Sequence, residues 1–286
     1  MEQIHKRQSR TAALARAGWV LSACIVLMLC AAPVRAADSS AWSAEAHAAM
    51  RLIAGTNEAD SSTMAAGVEL KLDPDWHTYW RYPGDAGIPP RFDFSGSQNV
   101  AAVTVRYPAP QAMVDETGTT LGYQHHVIFP LQITPKQSGH PVRLHLILDY
   151  AICEKLCVPA KGEATLTLDA GQSSQAELLA AAEARVPKRV DASTLGLVAR
   201  RGKDKAKVLV DMTAAQSKPF QLFVEGPTAE WALPIPKPVE GAPPGKQRFS
   251  FALDGLPPGV KPQAPVDLTF TAVEGGRAYE TKVHLD

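Results

Sequence analysis

The chain is short of cysteine, carries no excess charge of either sign and has no second long apolar run. Each of these absences narrows what it can be. Lys and Arg number 29 and Asp and Glu 29, so the formal net charge is zero. No basic surplus is present to meet a phosphate backbone or an anionic lipid surface, which excludes nucleic acid as an expected partner. Beyond Ala32 no apolar stretch approaches the roughly 20 residues that a bilayer-spanning helix needs, so the mature chain is expected to be soluble. A nucleophile-triad signature, a phosphate-binding glycine loop and a zinc-protease helix motif are also missing.

What is there begins with a leader. Lys6, Arg7, Arg10 and Arg16 form a basic region. Gly18 to Ala32 is an apolar run broken only by Ser22, and Val34-Arg35-Ala36 ends on a small residue. That pattern predicts a secretory signal peptide over 1–36, cleaved after Ala36. The run is too short for a membrane anchor. Leu21-Ser22-Ala23-Cys24 resembles a lipobox, but a lipobox should close the apolar stretch and here Ile25 to Leu29 continue it. Cleavage leaves 250 residues, enough for two ordinary domains. It removes five basic residues and one acidic residue, leaving 24 against 28 and a net charge of −4. Cys24 and Cys30 leave with the leader. Cys153 and Cys157 remain as one pair in an oxidising compartment, where such pairs form disulfides.

The mature chain alternates apolar and polar residues in short runs separated by Pro- and Gly-rich breaks. Val68, Leu70 and Leu72 alternate with Glu69 and Lys71; Val142, Leu144, Leu146, Leu148 and Tyr150 alternate with Arg143, His145 and Asp149, with Ile147 the exception. A period of two places one face on a core and the other in water. Several such runs predict an all-β chain of antiparallel sandwiches. Ser174-Gln175-Ala176-Glu177 reads as a capping box opening an Ala/Leu-rich helix from Leu178 to Arg185, which Pro187 stops. Strands resume at Val208, Phe220, Phe249 and Val266, and Gly275-Gly276 turns a last hairpin. The expected layout is a first sandwich over 37–172, a helical linker over 173–190 and a second sandwich over 191–286.

The chemistry centres on Tyr150-Ala151-Ile152-Cys153-Glu154-Lys155-Leu156-Cys157-Val158-Pro159. On one straight strand, residues four apart lie about 13 Å apart, whereas a disulfide needs Cα atoms within about 7 Å. The chain must therefore turn, with Glu154-Lys155-Leu156 as the tip. A structural staple and a redox-active pair both fit this local sequence. So short a loop stabilises by only about 2 kcal/mol, and an exposed hairpin-tip disulfide is of the exchangeable kind. Trp76, Tyr79, Trp80 and Tyr82 form an aromatic group that serves either as core or as a collar and docking surface around the cysteines. His125-His126 raises a metal reading, but neighbours on a strand face opposite ways; one His with the two reduced cysteines would be the available ligand set.

Several segments in order resemble the periplasmic N-terminal region of the DsbD/ScsB family of thiol-disulfide interchange proteins. They are Asp75-Trp76-His77-Thr78-Tyr79-Trp80-Arg81, Pro83-Gly84-Asp85-Ala86-Gly87, Tyr107-Pro108-Ala109-Pro110, Gly122-Tyr123 and Cys153-x-x-x-Cys157-x-Pro159. The three-residue spacer favours the ScsB-like branch. The resemblance implies two immunoglobulin-like antiparallel β-sandwich domains joined by a short helix. It implies that Cys153 and Cys157 shuttle between dithiol and disulfide with no dissociable cofactor and no resident metal. It also implies periplasmic localisation, thioredoxin-like periplasmic partners and a membrane-embedded thiol reductase of the DsbD/CcdA type. In ScsB-type systems the setting is often copper tolerance. The family's transmembrane channel and C-terminal thioredoxin-like domain do not occur in this sequence, so the expected reductant is another polypeptide. DsbD-type domains carry an aromatic cap after an Asp-Glu pair. Here Asp115-Glu116 is followed by Thr117, so cap shielding would fall to Tyr123 or Leu121. Two alternatives stay open: a metal-binding copper-tolerance protein, and a binding module with a structural disulfide.

Overall fold

The computed structural model describes residues 37–59, 61–84, 87–115, 118–203, 205–214 and 220–286, with only the backbone of Asp115. The leader, Asp85 and Glu116 lie outside the described residues. The first sandwich is built from β1 (Ser43–Glu45), β2 (Ala48–Ala54), β3 (Met64–Leu72), β4 (His77–Gly84), β5 (Arg91–Asp93), β6 (Val100–Val105), β7 (Gln111–Asp115), β8 (Gly118–Gln124), β9 (His126–Pro135), β10 (Val142–Cys153) and β11 (Cys157–Leu168). One sheet runs β1-β2-β3-β9-β6; the other runs β11-β10-β4-β8-β7, with β5 also paired to β10. The two-residue period decides what goes inside. In β10, Val142, Leu144, Leu146, Leu148, Tyr150 and Ile152 are all at most 4% exposed, while Arg143 and Asp149 between them face water. Trp80, Leu121, Phe129 and Met50 fill the space between the sheets.

The free edge at β11 is closed by side chains. Glu45 Oε2 accepts from the Lys161 N–H at 2.6 Å and Ser43 Oγ accepts from the Glu163 N–H at 3.2 Å. β1 thus covers part of an edge that would otherwise present unpaired backbone.

The helix, α1, spans Ala176–Glu183 and begins two residues before the position expected from the sequence. The predicted capping box does not form. Gln175 is the N-cap and makes no side-chain capping bond. Ser174 N–H instead donates to Asp38 Oδ2 at 2.8 Å, and Ser173 Oγ donates to the Ala54 carbonyl at 2.6 Å. Tertiary partners outcompete the local cap. α1 also lies on the first sandwich: Leu179 and Ala182 bury against Ile53 and Ile128. Gly55 and Gly67 make room for it, since a Cβ on either would come within 2.9 Å of Leu179.

The second sandwich has two four-stranded sheets. One orders Lys188–Arg189, Arg277–Leu285, Val266–Glu274 and Gln221–Glu225; the other orders Val198–Arg201, Lys207–Thr213, Lys246–Ala252 and Lys237–Pro238. All pairings are antiparallel except the short contact of Lys188–Arg189 with the last strand. Gly275 and Gly276 both take positive φ, +53° and +90°, at the final hairpin turn.

The fold is all-β, two immunoglobulin-like sandwiches joined by a short helix, and residues 37–286 form one compact unit. Phe223 of the second sandwich is 1% exposed and belongs to the core of the first, its ring 6.1 Å from that of Trp80. Burying one such ring stabilises by about 2–3 kcal/mol. A fragment ending at residue 172 loses this contact and the cover of α1 over Ile53 and Ile128 but keeps every strand of the first sandwich. We expect it to unfold cooperatively at a temperature at least about 5 °C below the full chain, measured by circular dichroism. An aggregated or non-cooperative fragment would mean that the two sandwiches share an indispensable core.

Candidate functional site

β10 and β11 are one long hairpin whose register pairs Ile152 with Val158 and Cys153 with Cys157. The tip is Glu154-Lys155-Leu156, as the spacing requires, and the two cysteines form a disulfide with Cα atoms 4.2 Å apart. Core-facing residues on β10 are the even-numbered ones, so Cys153 projects from the outer face of its sheet. It is nevertheless only 3% exposed, buried with Ala151 and Tyr79 in a small cluster separate from the main core. Cys157, across the hairpin, is exposed. Leu156 at the tip is 79% exposed.

The cover over Cys153 comes from β4. That strand pairs with β10 at only two positions, Thr78 with Ile152 and His77 with Cys153. Thr78 Oγ1 reinforces the contact by donating to the Ala151 carbonyl at 2.9 Å. Directly opposed residues share a face, so His77 and Cys153 stand side by side on the outside, and Tyr79 two residues on joins them. The Tyr79 hydroxyl lies 2.7 Å from Cys153 Sγ and 3.1 Å from Cys157 Sγ. Disulfide sulfurs carry no proton, so the phenol is the donor to both. The Tyr79 ring is held by His77, edge-on at 5.6 Å, and by the backbone of Gly87, where a Cβ would strike the ring. Gly87 has φ +139°, and Gly122 on β8 has no room for a Cβ against the Thr78 carbonyl. These two glycines of the sequence motifs let backbone approach where the phenol must sit.

Lys155 and Glu154 lie 3.9 Å apart at the exposed tip, where solvent screens such a pair. Further along β4, Arg81 makes a two-pronged contact with Glu225, at 2.9 and 2.6 Å, and a third at 2.5 Å to Glu280. Burial works against its charge, but the two carboxylates outweigh it and hold the guanidinium firmly protonated.

The other aromatic candidates sit elsewhere. Trp80 is in the core, on the opposite face of β4 from the disulfide. Trp76 stacks on His47 at 4.1 Å. Tyr123 is opposite Thr78 on the core face, and its hydroxyl donates to the Pro108 carbonyl at 2.8 Å. Burial pushes the Tyr123 phenol well above its ordinary pKa. Neither Tyr123 nor Leu121, itself a core residue, stands over the sulfurs. Asp115 lies at the end of β7 with its side chain undescribed, and Glu116 falls outside the described residues. His126 is engaged by the buried Glu69 at 3.0 Å. No group of three or more His, Cys, Asp or Glu among the described residues is arranged to hold a metal ion.

The family model of the thiol:disulfide interchange protein DsbD, N-terminal, matches residues 49–169. Residues 49–169 are thus similar to a DsbD N-terminal domain. The match takes in both cysteines, Tyr79 and all of β3 to β11, and with the Cys153–Cys157 disulfide it supports thiol-disulfide interchange in general. The crystal structure of the N-terminal periplasmic domain of ScsB from Proteus mirabilis superposes with a TM-score of 0.70, covering 87% of this chain and 98% of that one. At 19% identity that likeness establishes a shared fold, and it extends beyond the DsbD N-terminal domain into the second sandwich. A marsupial T cell receptor aligns over 84% of this chain and 97% of its own at 8% identity, but a TM-score of 0.20 carries no weight. No curated protein sequence matches the chain.

Sequence reasoning left Tyr79 between core and collar with its aromatic neighbours and did not single it out. The pairing of His77 with Cys153 makes the distinction, since only odd-numbered residues of β4 then face the disulfide. The contribution of Gly87 and His77 to the phenol's seat was missed. The difference in burial leads to a direct expectation. In the reduced native protein, iodoacetamide should modify Cys157 at least about tenfold faster than Cys153, because access governs attack on a sulfur. Peptide mapping of a time course measures the two rates; equal rates would show that the hairpin opens on the labelling timescale.

Proposed function

We propose that this protein is a periplasmic electron carrier, relaying reducing equivalents through Cys153 and Cys157 from a membrane-embedded thiol reductase of the DsbD/CcdA type to thioredoxin-like partners. The observation that carries the reading is the asymmetry of the pair: one exposed sulfur, one sulfur 3% exposed, and a buried phenol donating to both. A staple has no use for that arrangement, whereas exchange requires one reachable sulfur and one resolving sulfur.

The steps balance as follows. In the dithiol form, Cys157 loses its proton to solvent and its thiolate attacks a sulfur of the partner's disulfide. The partner's S–S bond breaks, a mixed disulfide forms through Cys157, and the partner's second sulfur leaves as a thiolate that takes up a proton. Cys153 then deprotonates and attacks Cys157 Sγ. The intramolecular disulfide closes and the partner departs as a dithiol, carrying two electrons. A membrane dithiol reverses these steps on the oxidised carrier. There Cys157 Sγ is the sulfur attacked and Cys153 leaves as a thiolate, 2.7 Å from the Tyr79 hydroxyl. A hydrogen bond to the charged sulfur favours that form.

Export through the 1–36 leader fits this role, as does the description of the Proteus mirabilis ScsB domain as periplasmic. No helix among the described residues is long and apolar enough to cross a membrane.

Single-cysteine variants test the assignment. Cys153→Ala leaves Cys157 to trap a thioredoxin-like partner as an adduct that dithiothreitol releases, and Cys157→Ala should trap at least about tenfold less. Trapping only through Cys153 would reverse the roles. Trapping by neither, with a reduction potential below about −300 mV, would return the disulfide to a structural part.

A further inference from the structure

We propose that Leu156 is the contact by which the carrier favours protein partners over small thiols. It is an apolar anchor beside the reactive sulfur, for the apolar surface around a thioredoxin-like partner's own cysteine. This rests on the carrier reading above and names what that site recognises. Leu156 is 79% exposed, as much as any large apolar side chain among the described residues. The fold makes no use of it. It is not among the side chains packed against any of the apolar clusters, whereas Val158, two residues on, packs against the first core. The turn does not require it either. None of Glu154, Lys155 and Leu156 takes a positive φ, and residues that favour turns are Gly, Asn, Asp, Pro and Ser rather than Leu. A single exposed leucine is ordinary on a protein surface. What sets this one apart is its covalent neighbour, the accessible cysteine of the pair.

Exchange chemistry fixes who meets that side chain. A partner thiolate attacks Cys157 Sγ, the Cys153–Cys157 bond breaks, and Cys153 Sγ leaves and takes up a proton. The partner's second thiolate then attacks its own sulfur in the mixed disulfide, so Cys157 is released as a thiol and the partner is oxidised. Between these two steps the partner's Cα lies within about 7 Å of the Cys157 Cα, and the Leu156 Cα is one peptide away, about 3.8 Å. Any protein bonded to Cys157 therefore brings its own residues over Leu156, while a small thiol has none to bring. Glu154 and Lys155, paired at 3.9 Å, complete the tip around it. An apolar centre with a polar rim is the anatomy of a protein contact, and burial of the leucine favours a partner whose surface beside the cysteine is itself apolar.

The experiment compares two reductants on the full chain in its disulfide form: reduced thioredoxin and dithiothreitol. Acid-quenched time points followed by thiol alkylation give the rate of each. Leu156→Ser should slow reduction by thioredoxin about tenfold and leave the dithiothreitol rate unchanged. Leu156→Met, which keeps the volume and the apolar character, should retain most of the thioredoxin rate. Val198→Ser makes the same kind of change at a residue of the second sandwich that is 57% exposed, and should leave both rates unchanged. Equal slowing with both reductants would mean that Leu156 acts on the reactivity of the disulfide itself, and would overturn the proposal. So would an unchanged thioredoxin rate in Leu156→Ser. A wild-type dimer that Leu156→Ser converts to a monomer, seen by light scattering, would assign the tip to a second copy of this chain and overturn it as well. The carrier reading fails separately. Trapping through Cys157 with Leu156→Ser silent sinks only this inference, whereas a wild type that thioredoxin does not reduce and that traps no partner sinks the carrier and this inference with it.

Discussion

The pairing of β4 with β10 at just two positions is the constraint on which the site depends. It sets His77 beside Cys153, and alternation then sends Tyr79 to the same face and Thr78 and Trp80 to the core. Were the register slipped by one residue, Trp80 would stand over the disulfide and Tyr79 would bring its hydroxyl into the apolar interior. The Thr78 bond to the Ala151 carbonyl and the missing Cβ of Gly122 both act at this junction. The most specific part of the sequence is thus spent on fixing one strand against one hairpin tip.

The energetics of the hairpin agree with a chemical use of its disulfide. Tying off a loop this short constrains the unfolded chain by only about 2 kcal/mol. The twelve-residue partnership of β10 and β11 and the aligned core side chains beneath it hold the tip without a covalent link. Most of what holds the hairpin tip therefore lies outside the bond.

Much of this was legible in the sequence because strands announce themselves. Val68 to Leu72 alternates cleanly, Val142 to Tyr150 does so but for Ile147, and a four-residue cysteine spacing forces a turn. The helix was legible in kind but not in its start, because Ser173 and Ser174 bond to Ala54 and Asp38, partners more than a hundred residues away. The aromatic segment was ambiguous for a similar reason. Trp76, Tyr79, Trp80 and Tyr82 have the same chemistry on paper, and only the pairing partners assign one to the sulfurs, one to the core, one to His47 and one to the second domain. The reach of Arg81 to Glu225 and Glu280 has no sequence signature at all, since it links residues that only the docking of two sandwiches brings together.

The covered edge of β11 bears on how long a partner stays. Lys161 and Glu163 point their N–H groups away from β10, into the side chains of β1, and by the same parity Cys157 and Pro159 face outward too. Pro159 has no N–H to offer. A visiting chain that reaches the exposed sulfur therefore cannot zip itself onto the strand beyond it. The outward donor next to Cys157 is missing and the following ones are already occupied. On the proposed carrier reading, contact would be confined to the hairpin tip, a small footprint whose dwell time is set by the mixed disulfide rather than by strand addition. A carrier of that kind gains from such brevity: it discharges its cargo and is vacant for the next encounter.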